Sequence, residues 1–374
     1  MENRFEKIEN QRELEKPKKR RFWLWFFIVI FILAAAAGTL FYKASFTFSQ
    51  INSKNQGGGV LPISEDAPKI EKDPDRINIL LLGLRGPEDP NGGLLTDTMM
   101  VLSIKQSTGQ VAMISIPRDL FIKMPTEPGK NSSQAIKEKI NFAYALGEEK
   151  MRSGGLVYSK VAVQSVTGLW IDHVVSIDFL AFKDIVDILG GVDIHLSKPF
   201  IEDQQWVESG DAGPSSAFFI KTETATTSAG VIQKQKWVFE IPAGTSHLDG
   251  NTALYYARAR YSSNDFNRVQ RQQQILLAMK DKAMSLGILL NPVKIFELLD
   301  TMGKNVRTDM GLGEINNMIG LSKNLNFKNI KSKVFDTTSA GLLYATTSEK
   351  GAYILLPQGD NFDKIREVCK NIFQ

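Results

Sequence analysis

Three apolar runs lie close together in the chain, reading INILLL at residues 77–82, MMVLSI at 99–104 and VAMISI at 111–116. Each has the length of a buried β-strand, and the first stops at Gly83. Residues 107–109, between the second and third runs, have the composition of a turn. The three runs therefore predict the centre of a β-sheet.

Strand and helix patterns alternate along the rest of the body. Further strands are predicted at 192–196 and 237–241, and helices at 140–149, 156–167, 179–189, 250–259 and 265–285. The mixture predicts an α/β fold, with a central mixed β-sheet flanked by helices, over one domain at 76–374. Residues 203–236 show the least regular pattern and are interpreted as a surface excursion.

The N-terminal part of the chain has the pattern of an exported membrane protein. Residues 22–42 carry no charge, which is the length that one transmembrane helix needs. Because a basic cluster precedes them, we expect residues 1–21 to form a cytoplasmic tail and the body to lie outside the membrane. Residues 43–75 are interpreted as a flexible extracytoplasmic linker. A signal peptide cleaved near Ala34–Ala37 is the alternative.

The charge balance and the small numbers of cysteines and histidines exclude several classes of protein. Beyond the tail the chain has 37 basic and 36 acidic residues, so it lacks the basic excess of a nucleic-acid binder. The single cysteine, Cys369, excludes an intramolecular disulfide. The three histidines, His173, His195 and His247, lack metal-ligand spacing and are interpreted as structural.

The predicted helix 265–285 presents arginines on its core-facing side. Its apolar stripe at Ile275 and Met279 continues backward into Gln272, Arg271 and Arg268. Buried guanidinium groups need partners, so an anion is expected opposite them. Arg258 and Arg260 lie just upstream, and the whole set is typical of a binding site for a multiply charged anion. Structural pairing with Asp265 or Asp249 remains the alternative.

Further charged residues stand at the ends of predicted strands. Asp97 precedes the strand 99–104, and Arg118 and Asp119 follow the strand 111–116. Arginines with a carboxylate suit phosphoryl transfer, which needs positioning and charge neutralisation more than covalent chemistry. The chain has neither a Walker motif nor a kinase glycine loop, so the phosphate donor is not expected to be a nucleotide.

At these residues the chain resembles the LytR-CpsA-Psr family of membrane-anchored bacterial enzymes that attach glycopolymers to the cell wall. Seven segments match in the order of the family: INILLLG (77–83), LTDTMMVLSI (95–104), ISIPRD (114–119), KINFAYALGE (139–148), LGGVDI (189–194), IPAGTSHLDG (241–250) and ALYYARARYSSNDFNRVQRQQQ (253–274).

The resemblance implies a phosphotransferase that moves glycan phosphate from a polyprenyl diphosphate lipid to a peptidoglycan hydroxyl. It implies Mg²⁺ as cofactor, a long apolar pocket for the lipid tail, and Asp97 as metal ligand and base. The implied partners are the lipid-linked glycan, peptidoglycan and the cytoplasmic membrane, and no nucleic acid. The implied diphosphate-binding set, here called the arginine cluster, is Arg118, Arg258, Arg260, Arg268 and Arg271; Gln272, Asp265 and Lys139 are expected to assist it.

Two positions depart from the family pattern. An acid that helps to hold the metal is expected where this chain has Arg85, and an arginine is expected at Leu95. Arg85 is predicted to replace the missing cation, while Asp89 is a looser replacement for the missing acid. The missing acid permits the alternative of a non-catalytic polyprenyl-phosphate or glycan binder. A second alternative, a lipid diphosphate hydrolase, differs only in using water as acceptor. The family's old description as transcriptional attenuators conflicts with the anchor and the near-neutral body.

Overall fold

The computed structural model describes residues 70–87, 89, 93–125, 135–151, 154–206, 215–227, 230–263, 265–286, 303, 305–322 and 324–374. The predicted tail at 1–21, the span at 22–42 and most of the linker at 43–75 lie outside these residues. In the part of the chain that is described, no helix combines the length and the apolar character of a membrane span.

Fifteen strands and seven α-helices are formed by the described residues. In chain order they are β1 (Arg76–Leu84), β2 (Thr96–Lys105), β3 (Gln110–Ser115), β4 (Phe121–Lys123), β5 (Lys137–Lys139), α1 (Ala143–Lys150), α2 (Gly154–Thr167), β6 (His173–Ile177), α3 (Phe179–Ile188), β7 (Val192–Leu196), β8 (Phe200–Glu202), β9 (Phe218–Thr227), β10 (Gly230–Ile241), β11 (Gly244–Leu248), α4 (Gly250–Arg258), α5 (Asp265–Ser285), β12 (Val306–Thr308), α6 (Leu312–Ser322), β13 (Asn326–Val334), β14 (Leu343–Thr347), β15 (Tyr353–Pro357) and α7 (Asp363–Lys370).

A six-stranded mixed sheet forms the centre of the fold, in the order β12-β6-β1-β2-β3-β13. β1 pairs antiparallel with β2 and β2 antiparallel with β3, while β6 runs parallel to β1 and β13 parallel to β3. The three apolar runs of the sequence are the strands β1, β2 and β3. The predicted α/β fold with a central mixed sheet is therefore confirmed.

Two apolar clusters build the core. The larger includes Leu80 and Val101 from the sheet, packed with Tyr144 of α1, Val163 of α2 and Ile365 of α7. These side chains are almost completely removed from water, and such burial is the main favourable term in folding. The second cluster joins α3, α4 and α5 to the small sheets, with Val186, Phe239, Tyr256 and Ile275 among its members.

Strand direction brings the chemistry-bearing residues to one edge of the sheet. Because β1 and β2 are antiparallel, the end of β1 and the start of β2 meet at the same edge. Because β3 is antiparallel to β2, and β6 parallel to β1, the ends of these strands lie there too. Arg85, Asp97, Arg118 and Phe179 are the residues found at these four strand ends.

The predicted surface excursion at 203–236 is more regular than expected. It contains a long antiparallel hairpin of β9 and β10, in which Ile220 pairs with Trp237 and Thr224 with Gln233. The residues taken as irregular are rich in threonine, a β-branched residue that favours strands. The Ser/Thr/Ala/Gly content of this segment is typical of a loop, but the described residues at 218–227 and 230–236 form strands because threonine favours extended pairing.

Two leucine-to-alanine substitutions test which residues stabilise the core. Leu80 of β1 is fully buried, and we expect Leu80→Ala to lower the free energy of unfolding by about 2–5 kcal/mol, through lost transfer energy and the cavity left behind. Leu180 of α3 is half exposed, so Leu180→Ala should change it by less than about 0.5 kcal/mol. Urea unfolding followed by circular dichroism measures both, and equal losses would contradict this description of the core.

Candidate functional site

Asp97, near the start of β2, is surrounded by three arginines. One carboxylate oxygen lies 2.5 Å from Nη1 of Arg118, and the other lies 3.4 Å from Nε of Arg85. Nη2 of Arg268 donates a hydrogen bond of 3.2 Å to the backbone oxygen of Asp97. Each arginine comes from a different part of the chain, so the contacts join the turn after β1, the turn after β3 and α5 around this acid.

These arginines keep Asp97 ionised. Burial of the carboxyl group acts to raise its pKa, but the charges of Arg118, Arg268 and Arg85 and the hydrogen bond from Arg118 outweigh burial. The pKa of Asp97 is therefore lowered from the ordinary value of 3.8. At neutral pH the side chain is an anion that orients the guanidinium groups around it.

A cavity of about 270 Å³ opens beside this acid and is here called the Asp97 cavity. Among the described residues, five arginines and one carboxylate contribute its charges, and the other described walls are mostly aromatic and amide side chains. Its lining residues are Arg85, Asp97, Thr98, Arg118, Phe179, Gln205, Trp206, Tyr255, Arg258, Arg260, Tyr261, Arg268 and Gln272. Such an excess of positive charge in a partly closed space is suited to binding a multiply charged anion.

Aromatic rings hold the two arginines at the end of α4. The guanidinium of Arg258 lies 4.6 Å from the centre of the Phe179 ring, and that of Arg260 lies 5.2 Å from the Tyr261 ring. The pKa of Arg258 is lowered, first by burial and then by the charge of Arg85. These arginines repel one another, and an anion in the cavity would relieve that repulsion.

The arginines of α5 take two different positions. Both are buried, as the helix pattern predicted, but only Arg268 lines the Asp97 cavity, together with Gln272. Arg271 donates hydrogen bonds to the backbone oxygens of Tyr256 and Ala259, and its guanidinium lies 4.7 Å from the Phe200 ring. Arg271 therefore fastens the end of α4 instead of lining the cavity with the other members of the arginine cluster.

A second cavity of about 340 Å³, here called the Lys139 cavity, adjoins the first. It shares Arg85, Asp97 and Arg118 with the Asp97 cavity and is otherwise lined by Leu95, Asp119, Glu138, Lys139, Asn141 and Phe142. Nζ of Lys139 lies 2.7 Å from a carboxylate oxygen of Asp119. Lys139 thus lines the Lys139 cavity and pairs with Asp119, and it is absent from the described lining of the Asp97 cavity.

Other residues singled out in the sequence lie apart from these cavities. Asp265 is the first residue of α5, but its side chain is not among the described ones. His247 pairs with Asp193 at 2.7 Å on an exposed surface, and His195 contacts Thr245. His173 lies 3.8 Å from Asp309. Each histidine thus contacts a polar side chain, and none lies among the described residues that line the two cavities.

Glu202, at the end of β8, is a residue that sequence reasoning missed. It is fully buried, and its carboxylate accepts hydrogen bonds from the backbone N–H groups of Gln204, Gln205 and Ser262 and from the Ser262 hydroxyl. The amide oxygen of Gln205 in turn accepts from the backbone N–H of Arg260 at 2.9 Å. Glu202 and Gln205 thereby join the turn after α4 to the loop after β8, and Gln205 and Arg260 both line the Asp97 cavity.

Comparisons with known proteins agree with the resemblance. The model of the LytR-CpsA-Psr family (LytR_cpsA_psr) matches residues 42–371. Two relatives from Bacillus subtilis (strain 168) are named polyisoprenyl-teichoic acid–peptidoglycan teichoic acid transferases. TagV is 25% identical over 94% of this chain and 78% of its own length, and TagT is 27% identical over 89% and 93%. A solved structure of TagT bound to LIIa-WTA superposes with a TM-score of 0.57 at 22% identity, over 86% of this chain and 98% of that one.

Removing the charge of Glu202 tests its role in building the site. In Glu202→Gln a donating amide replaces an accepting oxygen beside several N–H groups, so we expect the free energy of unfolding to fall by about 1–3 kcal/mol. Glu223→Gln is the matched control, because Glu223 pairs with Lys236 at the surface and should contribute less than about 1 kcal/mol. Thermal and urea unfolding measure both variants. A loss no larger in Glu202→Gln than in the control would refute the assigned role.

Proposed function

The chain belongs to the LytR-CpsA-Psr family, and from this we propose that it is a transferase that moves a phosphate-linked glycopolymer from a polyprenyl diphosphate lipid to a hydroxyl group of peptidoglycan. Relatives over most of its length are named for the transfer of teichoic acid from a polyisoprenyl carrier to peptidoglycan. A polymer of the teichoic acid class is accordingly the substrate that we propose.

The charge of the Asp97 cavity is the observation that carries this proposal. Five guanidinium groups and one carboxylate line the space, and a diphosphate esterified at both ends brings two negative charges. The aromatic contacts of Arg258 and Arg260, and the hydrogen bond of Arg268 to Asp97, fix these groups before a ligand arrives. Fixed positive charge is the main contribution that a protein makes to phosphoryl transfer.

The reaction can be written with these groups alone. The oxygen of the acceptor hydroxyl forms a bond to the phosphorus that carries the glycan, and the bond from this phosphorus to the bridging oxygen breaks. The bridging oxygen leaves with its electron pair as part of polyprenyl phosphate, and the guanidinium groups neutralise the charge that develops on it. The hydroxyl proton passes to Asp97, which is ionised at neutral pH, and from there to solvent.

The location that we propose follows from the sequence. An uncharged segment at 22–42 behind a basic tail supports a single membrane span, with the N-terminus in the cytoplasm and residues 76–374 outside. This position would bring the site near a lipid-linked donor in the cytoplasmic membrane. The apolar pocket for the lipid tail, expected from the resemblance, stays a prediction.

Transfer is tested with the full chain in detergent and a short-chain polyprenyl diphosphate glycan. Wild-type protein should release polyprenyl phosphate when peptidoglycan is added, and Asp97→Asn should lower the rate by about 100-fold or more, because it removes the anion that orients Arg118 and Arg85. Asp363→Asn, at an exposed acid of α7, is the matched control and should keep the wild-type rate.

Three other outcomes would contradict the proposal in different ways. Release at the same rate without peptidoglycan would identify a hydrolase. Tight binding of the donor with no release would identify a carrier. An unchanged rate in Asp97→Asn would place the reaction away from the Asp97 cavity.

A further inference from the structure

The side chains around Asp97 are hydrogen-bond donors, and they do not supply the ligands of a magnesium ion. Mg²⁺ in proteins takes oxygen ligands in an octahedral arrangement, from carboxylates, water and substrate phosphates. Here both carboxylate oxygens of Asp97 face guanidinium nitrogens, of Arg118 at 2.5 Å and of Arg85 at 3.4 Å. The residues present therefore do not fit the Mg²⁺ that the resemblance predicts.

Asp119 and Asp89, two described acids near Asp97, do not complete a metal site with it either. Asp119 is matched by Lys139 at 2.7 Å and by Nε of Arg118 at 3.6 Å. Asp89 lies 3.7 Å from Nη1 of Arg85, so it contacts the guanidinium whose Nε faces Asp97. Each of these acids already has a cation as its neighbour, and a dication would have to displace it.

Arg85 stands where the family pattern has an acid and where the two cavities meet. It follows the last residue of β1, and the next residue, Gly86, turns the chain with a φ of 117°. Its side chain is about one-third exposed and is held between Asp97 and Asp89. Because it lines both the Asp97 cavity and the Lys139 cavity, it can contact a diphosphate bound in either.

The positive charge of the site is already high without a metal. Five guanidinium groups face a ligand that carries two negative charges, and the charge of Arg85 reaches Arg258, whose pKa is lowered by burial and then by Arg85. Adding Mg²⁺ next to Asp97 would place two further positive charges among Arg85, Arg118 and Arg268. A guanidinium combines a positive charge with directed N–H donors, so it can bind phosphate oxygens through both.

We propose that Arg85 is a catalytic residue that replaces a metal ion: its guanidinium binds the diphosphate beside Asp97 and neutralises the charge of the departing polyprenyl phosphate, so that transfer needs no bound divalent cation. This inference rests on the proposed transferase function. It names the cation at the reacting diphosphate, which the transferase assignment alone leaves open.

The first test compares wild-type full chain in EDTA and in millimolar Mg²⁺, with release of polyprenyl phosphate as the readout. The two rates should agree within about threefold. Arg85→Ala should lower the rate about 100-fold or more in both buffers, and Arg85→Lys should recover part of it. Arg366→Ala is the matched arginine control, because Arg366 belongs to α7 and contacts Asp363 and the backbone of Ser165. Circular dichroism checks that each variant is folded.

The converse substitution, Arg85→Asp, should make the transfer activity depend on a metal ion. Arg85→Asp would place a second carboxylate near Asp97 and remove one positive charge, so this variant should be inactive in EDTA and regain activity with Mg²⁺ or Mn²⁺. Mn²⁺ binding, followed by electron paramagnetic resonance with a polyprenyl diphosphate present, gives a readout that does not depend on turnover. The variant should bind Mn²⁺ and the wild type should not.

Failure of this inference can be told from failure of the transferase function. Wild-type activity that disappears in EDTA and returns with Mg²⁺ would overturn the role of Arg85 and leave the transferase standing. Tight Mn²⁺ binding by the wild type with the diphosphate would overturn it as well, even in a chain that shows no release. Absence of release in every buffer, with the donor bound, would instead count against the transferase.

Discussion

Mutual repulsion among the five guanidinium groups that line the Asp97 cavity is the constraint on which the rest of the site depends. Like charges in a partly buried space raise the free energy of the folded chain unless each one has a compensating contact. The compensation is local and varied: Arg118 faces Asp97, Arg258 lies on Phe179, and Arg268 reaches a backbone oxygen. Each contact fixes a direction for the charge while leaving the cavity open to an anion, which is the preorganisation that phosphoryl transfer uses.

Strand direction explains how residues far apart in the sequence meet at this cavity. The antiparallel order of β1, β2 and β3 brings Arg85, Asp97 and Arg118 to one edge of the sheet. α4 and α5 then add their arginines from the side, and the buried carboxylate of Glu202 holds the turn between these helices against the loop after β8. The sheet thus fixes the acid and its nearest cations, and the helices close the cavity around them.

Much of this arrangement could be predicted from the sequence, because it depends on periodic patterns. The apolar runs became β1, β2 and β3, and the pattern of α5 predicted that Arg268 and Arg271 face inward, where both are buried. What the pattern could not give was the partner of each arginine. Arg271 is held by backbone oxygens, and every residue has one, so no sequence signal marks that contact.

The role of Glu202 and the hairpin of β9 and β10 were missed for different reasons. A glutamate at the end of a short strand resembles any surface acid until the chain folds back and places Ser262 against it. The hairpin depends on pairing between two threonine- and lysine-containing strands, and local composition alone resembled a loop. The Glu202 contact joins segments that are 60 residues apart, whereas the hairpin joins neighbouring segments. Arg85, by contrast, was visible as a departure from a family pattern.

A crystal structure of the full chain with a short polyprenyl diphosphate glycan would test the central claim most directly. The account predicts that the diphosphate occupies the Asp97 cavity, with its oxygens about 2.7–3.2 Å from guanidinium nitrogens of Arg85, Arg118, Arg258 and Arg268. It also predicts that no metal ion lies between the phosphates and Asp97. A diphosphate bound elsewhere on the domain, with these arginines still directed only toward protein groups, would contradict the account.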